Sequence, residues 1–130
     1  MSSEFPRDLK YTQEHEWLRV EGELATVGIT SFAAEQLGEI VSVQLPEEGD
    51  MVEKGEVFGS VESTKSVSDL FAPVSGKITR VNSPLEDTPE AINEDPYDEG
   101  WMIEIHMTSS DEVDELLSVE DYVDLVADIE

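Results

Sequence analysis

The chain contains no cysteine, and that single absence removes disulfides, thiolate catalysis and cysteine-based zinc sites together. Positive charge is nearly as scarce. There are 7 Lys and Arg against 32 Asp and Glu in 130 residues, a formal charge of −25. A phosphate-backbone binder needs clustered Lys and Arg, and so does a protein that lies on an anionic membrane, so neither class fits. No apolar run approaches the ~20 residues of a membrane span. Met1 to Pro6 has neither a basic flank nor an apolar stretch, which predicts a chain without a signal peptide, working in the cytoplasm. Histidine occurs only as His15 and His106, which without cysteine outline no metal site. Gly55-Glu56-Val57-Phe58-Gly59 lacks the Gly-Lys-Ser/Thr ending of a phosphate loop.

Hydrophobic residues make up 38% of the chain, in short runs separated by Gly, Pro and acids, with Trp17, Phe32, Phe58, Phe71 and Trp101 as bulky core candidates. That pattern predicts a folded chain and not a disordered one. The length suits one domain over 1–130, with a core about 8–108 and C-terminal helices about 111–128. An acid-rich, lysine-poor composition resembles that of salt-loving organisms, which points to the saline cytoplasm of a halophilic prokaryote or archaeon. At molar salt the Debye length shrinks to about 3 Å and self-repulsion is screened.

Most of the chain reads as short strands punctuated by turns. Trp17–Val20 and Leu24–Ile29 flank Glu21-Gly22-Glu23 as a hairpin. Thr30 or Ser31 caps a short helix over Phe32–Leu37, with Gly38 at its end. Strands follow at Ile40–Leu45, Val57–Ser63, Val67–Phe71 and Lys77–Val81. Residues 82–100, rich in Pro and acids, read as a loop with one helical turn at Pro89–Asn93, capped by Thr88 with Pro89 first in the helix. Trp101–Met107 alternates, with Trp101, Ile103, Ile105 and Met107 on one face and His106 on the polar one. From Asp111 onward, apolar residues at three- to four-residue spacing predict an amphipathic helix pair. Gly38-Glu39-Ile40-Val41-Ser42-Val43 and Gly76-Lys77-Ile78-Thr79-Arg80-Val81 share G-x-I-x-x-V, as two similar β-halves of a sandwich would.

Between two of these strands lies Glu62-Ser63-Thr64-Lys65-Ser66-Val67-Ser68-Asp69, with a hairpin turn at about Thr64-Lys65. Positions 63–66 hold no Gly, Asn, Asp or Pro, so the lysine is not there for turn chemistry. A lysine at a tip can simply solubilise a surface. In a chain with only Lys10, Lys54, Lys65 and Lys77, which covers itself with acids, a mobile and sterically free amine at a tip also reads as a site for acylation. Lys54, Lys65, Lys77 and Arg80 lie close in sequence and are expected to form a less negative end where partners dock.

Seven blocks in order resemble one family, the lipoyl-carrying H proteins of the glycine cleavage system. They are Tyr11–Trp17 with its H-E-W core, Gly28-Ile29-Thr30, Leu37–Val41, Val61–Asp69, Pro73–Gly76 with Val81-Asn82, Asn93–Tyr97, and Gly100-Trp101. The resemblance spans about residues 8–125. It implies a mainly β fold, a lipoyl-domain-like barrel-sandwich hybrid with short helices and a C-terminal helical segment. It also implies lipoate in amide linkage on Lys65, within an attachment block formed by Glu62, Ser63, Thr64 and Ser66. The implied task is to carry the aminomethyl group of glycine from the decarboxylating P protein to the tetrahydrofolate-dependent T protein, with reoxidation by the L protein. Such a carrier is not an enzyme: the cofactor brings the chemistry and the protein presents it. Attachment would need a lipoate ligase or a lipoyl/octanoyl transferase. By position, Glu16 and Asp69 would line a cleft that shelters the loaded arm, where a carboxylate gains Coulomb energy against a cationic amine, with Glu14 and His15 beside them as further candidates and His15 either structural or cleft-lining. The expected chain is a monomer without metal, nucleic acid or membrane.

Related carriers read differently. A biotinyl domain has Met on both sides of its lysine, where this chain has Thr64 and Ser66. The lipoyl domain of a 2-oxo-acid dehydrogenase has Asp before its lysine and lacks the H-E-W opening. Two other readings stay open at this level: an H-like protein that donates lipoyl groups to other enzymes, and an acidic interaction domain without cofactor.

Overall fold

The structure is a computed structural model describing residues 5–129. Strand β1 is Lys10–Tyr11, β2 Glu16–Glu21 and β3 Leu24–Ile29. Helix α1 is Ser31–Leu37. Then come β4 Ile40–Gln44, β5 Met51–Val52, β6 Val57–Ser63, β7 Val67–Phe71 and β8 Gly76–Val81. Two short helices, α2 Pro84–Asp87 and α3 Ala91–Glu94, precede β9 Ile103–Met107. A 3₁₀ segment, Ser110–Glu115, leads into helix α4, Val119–Ile129. The fold is mainly β, as the resemblance implied. Met1–Glu4, the greater part of the stretch read for a signal peptide, lie outside the described residues.

The strands pair antiparallel in two sheets, ordered β1-β2-β3-β9-β8-β5 and β4-β6-β7. Period-two alternation turns Val27, Ile103, Ile105 and Ile78 of the large sheet toward Val43, Val61 and Leu70 of the small one, in one continuous core. Each such side chain contributes about 1.5–3 kcal/mol when fully buried. The two G-x-I-x-x-V copies fall on different sheets, β4 and β8, with Ile40 and Ile78 both buried.

A second core lies outside the first. Tyr122 and Val126 of α4 pack on Phe5, Tyr11, Trp17 and Phe32, and the Tyr11 and Tyr122 rings stack at 4.7 Å. Trp17 is fully buried across from Gly28, and its Nε1–H donates to the Pro96 carbonyl at 2.9 Å. A Cβ on Gly28 would stand 2.7 Å from three atoms of the indole. Gly28→Ala is therefore expected to cost about 1–3 kcal/mol in chemical denaturation, since an immobile tryptophan has nowhere to go. Unchanged stability would show that the ring has room to move.

Several expectations are corrected. The sequence reading missed β1 and β5, two-residue strands too short to carry a periodicity. The 82–100 segment holds two helices: Pro84 starts α2, Thr88 ends it, and Glu90 precedes α3. Buried Leu85 and Ile92, one from each, anchor them in the main core, so burial overrode the Thr-Pro start signal. Trp101 precedes β9, its ring under the Arg80 guanidinium at 5.0 Å, and Met102 is buried in its place. The first half of the C-terminal helix pair is 3₁₀. The proposed basic end does not exist. Lys54 and Lys65 flank opposite ends of the seven-residue β6, about 23 Å of strand, and Arg80 pairs with Glu104 in the other sheet.

Candidate functional site

Lys65 sits where the sequence placed it. Glu62 pairs with Val67 and Val61 with Ser68, so β6 and β7 close at a tip made of residues 63–66. The turn does have its own chemistry, supplied by Ser63, which the sequence placed in the attachment block but not in this role. Ser63 is buried, and its Oγ accepts from the backbone N–H groups of Lys65 and Ser66, at 3.1 Å each. Ser66 O in turn accepts from Ser63 N at 2.8 Å. A serine closing the loop two residues ahead replaces the Gly or Asn a tight turn otherwise needs. Thr64, Lys65 and Ser66 are exposed, and among the described residues Lys65 forms no ion pair. Glu62 is exposed beside Val67.

The acidic residues expected to line a cleft separate into two groups. Glu14 and Glu16 line a cleft of about 270 Å³ with Thr12, Phe71, Lys54 and Leu116, at the far end of β7 from Lys65. Lys54 closes its rim in an ion pair with Glu115. Asp69 is exposed on β7 two residues before Phe71, on the same side of the strand but outside the cleft. His15 is turned away. Its backbone takes a positive φ of 73°, and its Nδ1 meets the Tyr122 hydroxyl at 2.8 Å, beside the Phe32 ring. Burial lowers its pKa below the usual histidine value. His15 therefore fastens α4 to the turn and does not line the cleft.

Glu16 is the unusual group. It is 2% exposed, at the start of β2. One carboxyl oxygen accepts from the Thr12 hydroxyl at 2.7 Å, the other from the Phe71 N–H at 3.1 Å. Thr12 Oγ also accepts from the Glu16 N–H, closing a small ring of bonds. Burial pushes the Glu16 carboxyl up to about 7, and these two hydrogen bonds restrain the rise. A carboxyl poised there is neutral or ionised according to its company, and a cation entering the cleft would favour the ionised form. Thr12 was not singled out from sequence, and Phe71 was read there only as a core candidate and a strand end. A Thr four residues before an acid at a strand start was the available signal for the first. The tie between Glu16 and Phe71 joins the two sheets and had no local signal.

A family profile described as glycine cleavage H-protein matches residues 9–129. The chain belongs to the glycine cleavage H-protein family. A glycine cleavage system H protein from Anaeromyxobacter sp. (strain K) is 57% identical over 119 residues, covering 92% of this chain and 93% of that one. Another, from Synechococcus sp. (strain JA-3-3Ab), is 52% identical over 126 residues, covering 97% and 98%. The crystal structure of a glycine cleavage system H protein from Mycobacterium marinum superposes with a TM-score of 0.87 at 45% identity, over 95% of this chain and 99% of that one. The described residues include no helix long and apolar enough to cross a membrane. Nor do they include a group of three or more His, Asp or Glu arranged to hold a metal.

Proposed function

We propose that this chain, the carrier of a glycine cleavage system, bears lipoate in amide linkage on Lys65. The observation that carries the assignment is the contrast among four lysines. Among the described residues, Lys65 is the lysine that stands at an exposed hairpin tip, inside the attachment block, and it forms no ion pair there. Lys54 is paired with Glu115, Lys77 lies in the β8 ladder and Lys10 in β1. In attachment, the Lys65 amine loses a proton and displaces the leaving group of an activated acyl donor, an adenylate or thioester held by a lipoate ligase or a lipoyl/octanoyl transferase. The new bond runs from Nζ to the acyl carbon. When bound, the group supplies a dithiolane able to take and release the aminomethyl unit.

The residues present suit such a group. The tip leaves Nζ free, and β7 runs from it for about 17 Å to the Glu14–Glu16 cleft, with Asp69 along the way. Glu16 would face the cationic amine of the cargo from a dry position, and Glu14 would add charge at the mouth. Thr12 and the Phe71 N–H hold the Glu16 carboxylate still, so little reorganisation is needed when the cation arrives. In this reading the chain catalyses nothing. It is a single cytoplasmic carrier domain, a monomer, that meets the P, T and L proteins in turn, and tethering raises the effective concentration of the cargo at each.

Intact mass after reaction with a lipoate ligase is expected to show one lipoyl addition. Glycine turnover with the purified decarboxylase then separates the glycine-cleavage role from that of a lipoyl donor. A lipoylated chain that supports no turnover would favour the donor. The charge of −25 supports a saline working environment. The melting temperature is therefore expected to fall by ten degrees or more, on the order of 2 kcal/mol or above for a chain of this size, when molar salt is dialysed away. Equal melting temperatures in dilute and molar salt would remove the halophilic reading.

A further inference from the structure

Asn93 belongs to the Asn93–Tyr97 block, distant in sequence from Lys65, and its side chain reaches the strand that seats the attachment hairpin. Its Nδ2 donates to the Gly38 carbonyl at 2.8 Å, and its Oδ1 accepts from the Ile40 N–H at 2.9 Å. Both bonds fix one orientation of the amide, since the reversed one would oppose donor to donor and acceptor to acceptor. The bridged segment is the start of β4, where the pairing with β6 shifts register between Ile40 and Ser42. β4 is the edge strand of its sheet, and the Gly38 carbonyl and Ile40 N–H face away from β6; Asn93 takes up both and acts there as a short stand-in for a further strand.

The same three residues hold the tip. The Glu39 carbonyl between the two bridged groups accepts from the Thr64 N–H at 3.0 Å. Gly38, at a left-handed φ of 86°, lies directly under the Lys65 stem: a Cβ there would come within 2.8 Å of Lys65 Cε. Gly38 N is itself committed to the Ala34 carbonyl at the end of α1. Asn93 thus fixes the Gly38–Ile40 segment, that segment fixes Thr64, and the glycine leaves room for the lysine to lie across it.

We propose that Asn93 is a positioning residue for the modification of Lys65: it holds the Gly38–Ile40 seat that presents the lysine to the enzyme attaching the acyl group. The inference rests on Lys65 as the attachment site. Asn93 touches neither Lys65 nor the acyl donor, and its effect passes through the seat.

The test is Asn93→Ala, read by amide hydrogen exchange and by modification rate. Exchange at Thr64 is expected to rise about tenfold, the size of one lost hydrogen bond. Exchange at Val27 and Ile105, in the other sheet, stays at wild-type rates. The kcat/KM for lipoylation by a lipoate ligase falls about tenfold, while a small amine-reactive ester labels Lys65 at the wild-type rate, because the amine itself is unchanged. Thr64 exchange at the wild-type rate, or lipoylation at the wild-type rate, overturns the proposal, and so does an equal loss of ester labelling. Should Asn93→Ala raise exchange throughout the chain, Asn93→Asp takes its place under the same criteria. It keeps an acceptor for Ile40 and loses the donor to Gly38. A wild-type chain that takes no lipoyl group at Lys65 would sink the attachment reading instead, and the Thr64 exchange would still report on the seat.

Discussion

Lys65→Arg is expected to abolish lipoyl addition while leaving the fold intact. Arginine preserves the positive charge and much of the length of the side chain, so any contact that depends on charge survives. Its guanidinium stays protonated in proteins and does not form the amide. Loss of modification would then trace to the amine itself. The tip does not depend on the lysine for shape, because Ser63 supplies the turn bonds from below. Stability should accordingly stay within about 0.5 kcal/mol of wild type, the ordinary range for an exposed substitution. Intact mass and a thermal melt on the same sample check both halves. A lipoyl adduct persisting in Lys65→Arg would mean that another lysine is used. Lys54 is the candidate for that outcome because it lines the cleft, although its ion pair with Glu115 ties down the amine.

The second large effect concerns pH. Burial raises the Glu16 carboxyl in the folded chain to about 7 from an ordinary 4.5. A carboxyl raised in this way binds its proton more tightly folded than unfolded. Its contribution to stability is therefore full below pH 4.5 and is lost as the pH rises through about 7. The whole of that loss, reached well above pH 7, is about 3 kcal/mol at 1.36 kcal/mol per unit. Glu16→Gln keeps the shape, offers a carbonyl to the Phe71 N–H and cannot ionise. It should therefore be more stable than wild type at alkaline pH and lose that advantage on acidification. Denaturation of both chains across the range isolates Glu16 from the general repulsion of an acidic chain, which the two share. Parallel stability curves would show that the Glu16 carboxyl binds its proton equally well in the folded and unfolded chains. The same linkage bears on function: a cation in the cleft is held best once Glu16 has lost its proton, so retention of an aminomethyl cargo should improve as the pH passes 7.

The strands with clear alternation were legible because one face of each is buried and the period is two. Ile103, Ile105 and Met107 announce β9, and Val57–Ser63 and Val67–Phe71 have the bounds read from sequence. The helix of residues 31–37 was legible through its ends, Thr30 accepting from the Ala33 N–H and Gly38 closing the last turn. The 82–100 segment was not, because α2 and α3 are single turns held by Leu85 and Ile92 in a core formed mostly by other elements. Lys65 stood out as the tip lysine of a hairpin whose strands were plain. The cleft residues were legible only by analogy, which placed Glu16 and Asp69 in the cleft with Glu14 and His15 beside them. Around the positive-φ turn, Glu14 and Glu16 share the cleft while His15 is turned to Tyr122, a division set by the distant helix α4.

By itself the sequence determined the chemistry available to this protein: no thiol, few amines, one of them exposed between two strands, and carboxylates everywhere else. It also determined the local elements, since alternation, caps and turn residues act within a few positions. The tertiary structure decided that Glu16 has an altered ionisation and that the Lys65 amine stands clear at an exposed tip. Those properties depend on water being excluded and on donors brought from distant elements, such as Phe71 to Glu16 and Asn93 to Gly38. Desolvation and long-range hydrogen bonds arise only when the two sheets and the C-terminal helix are packed together.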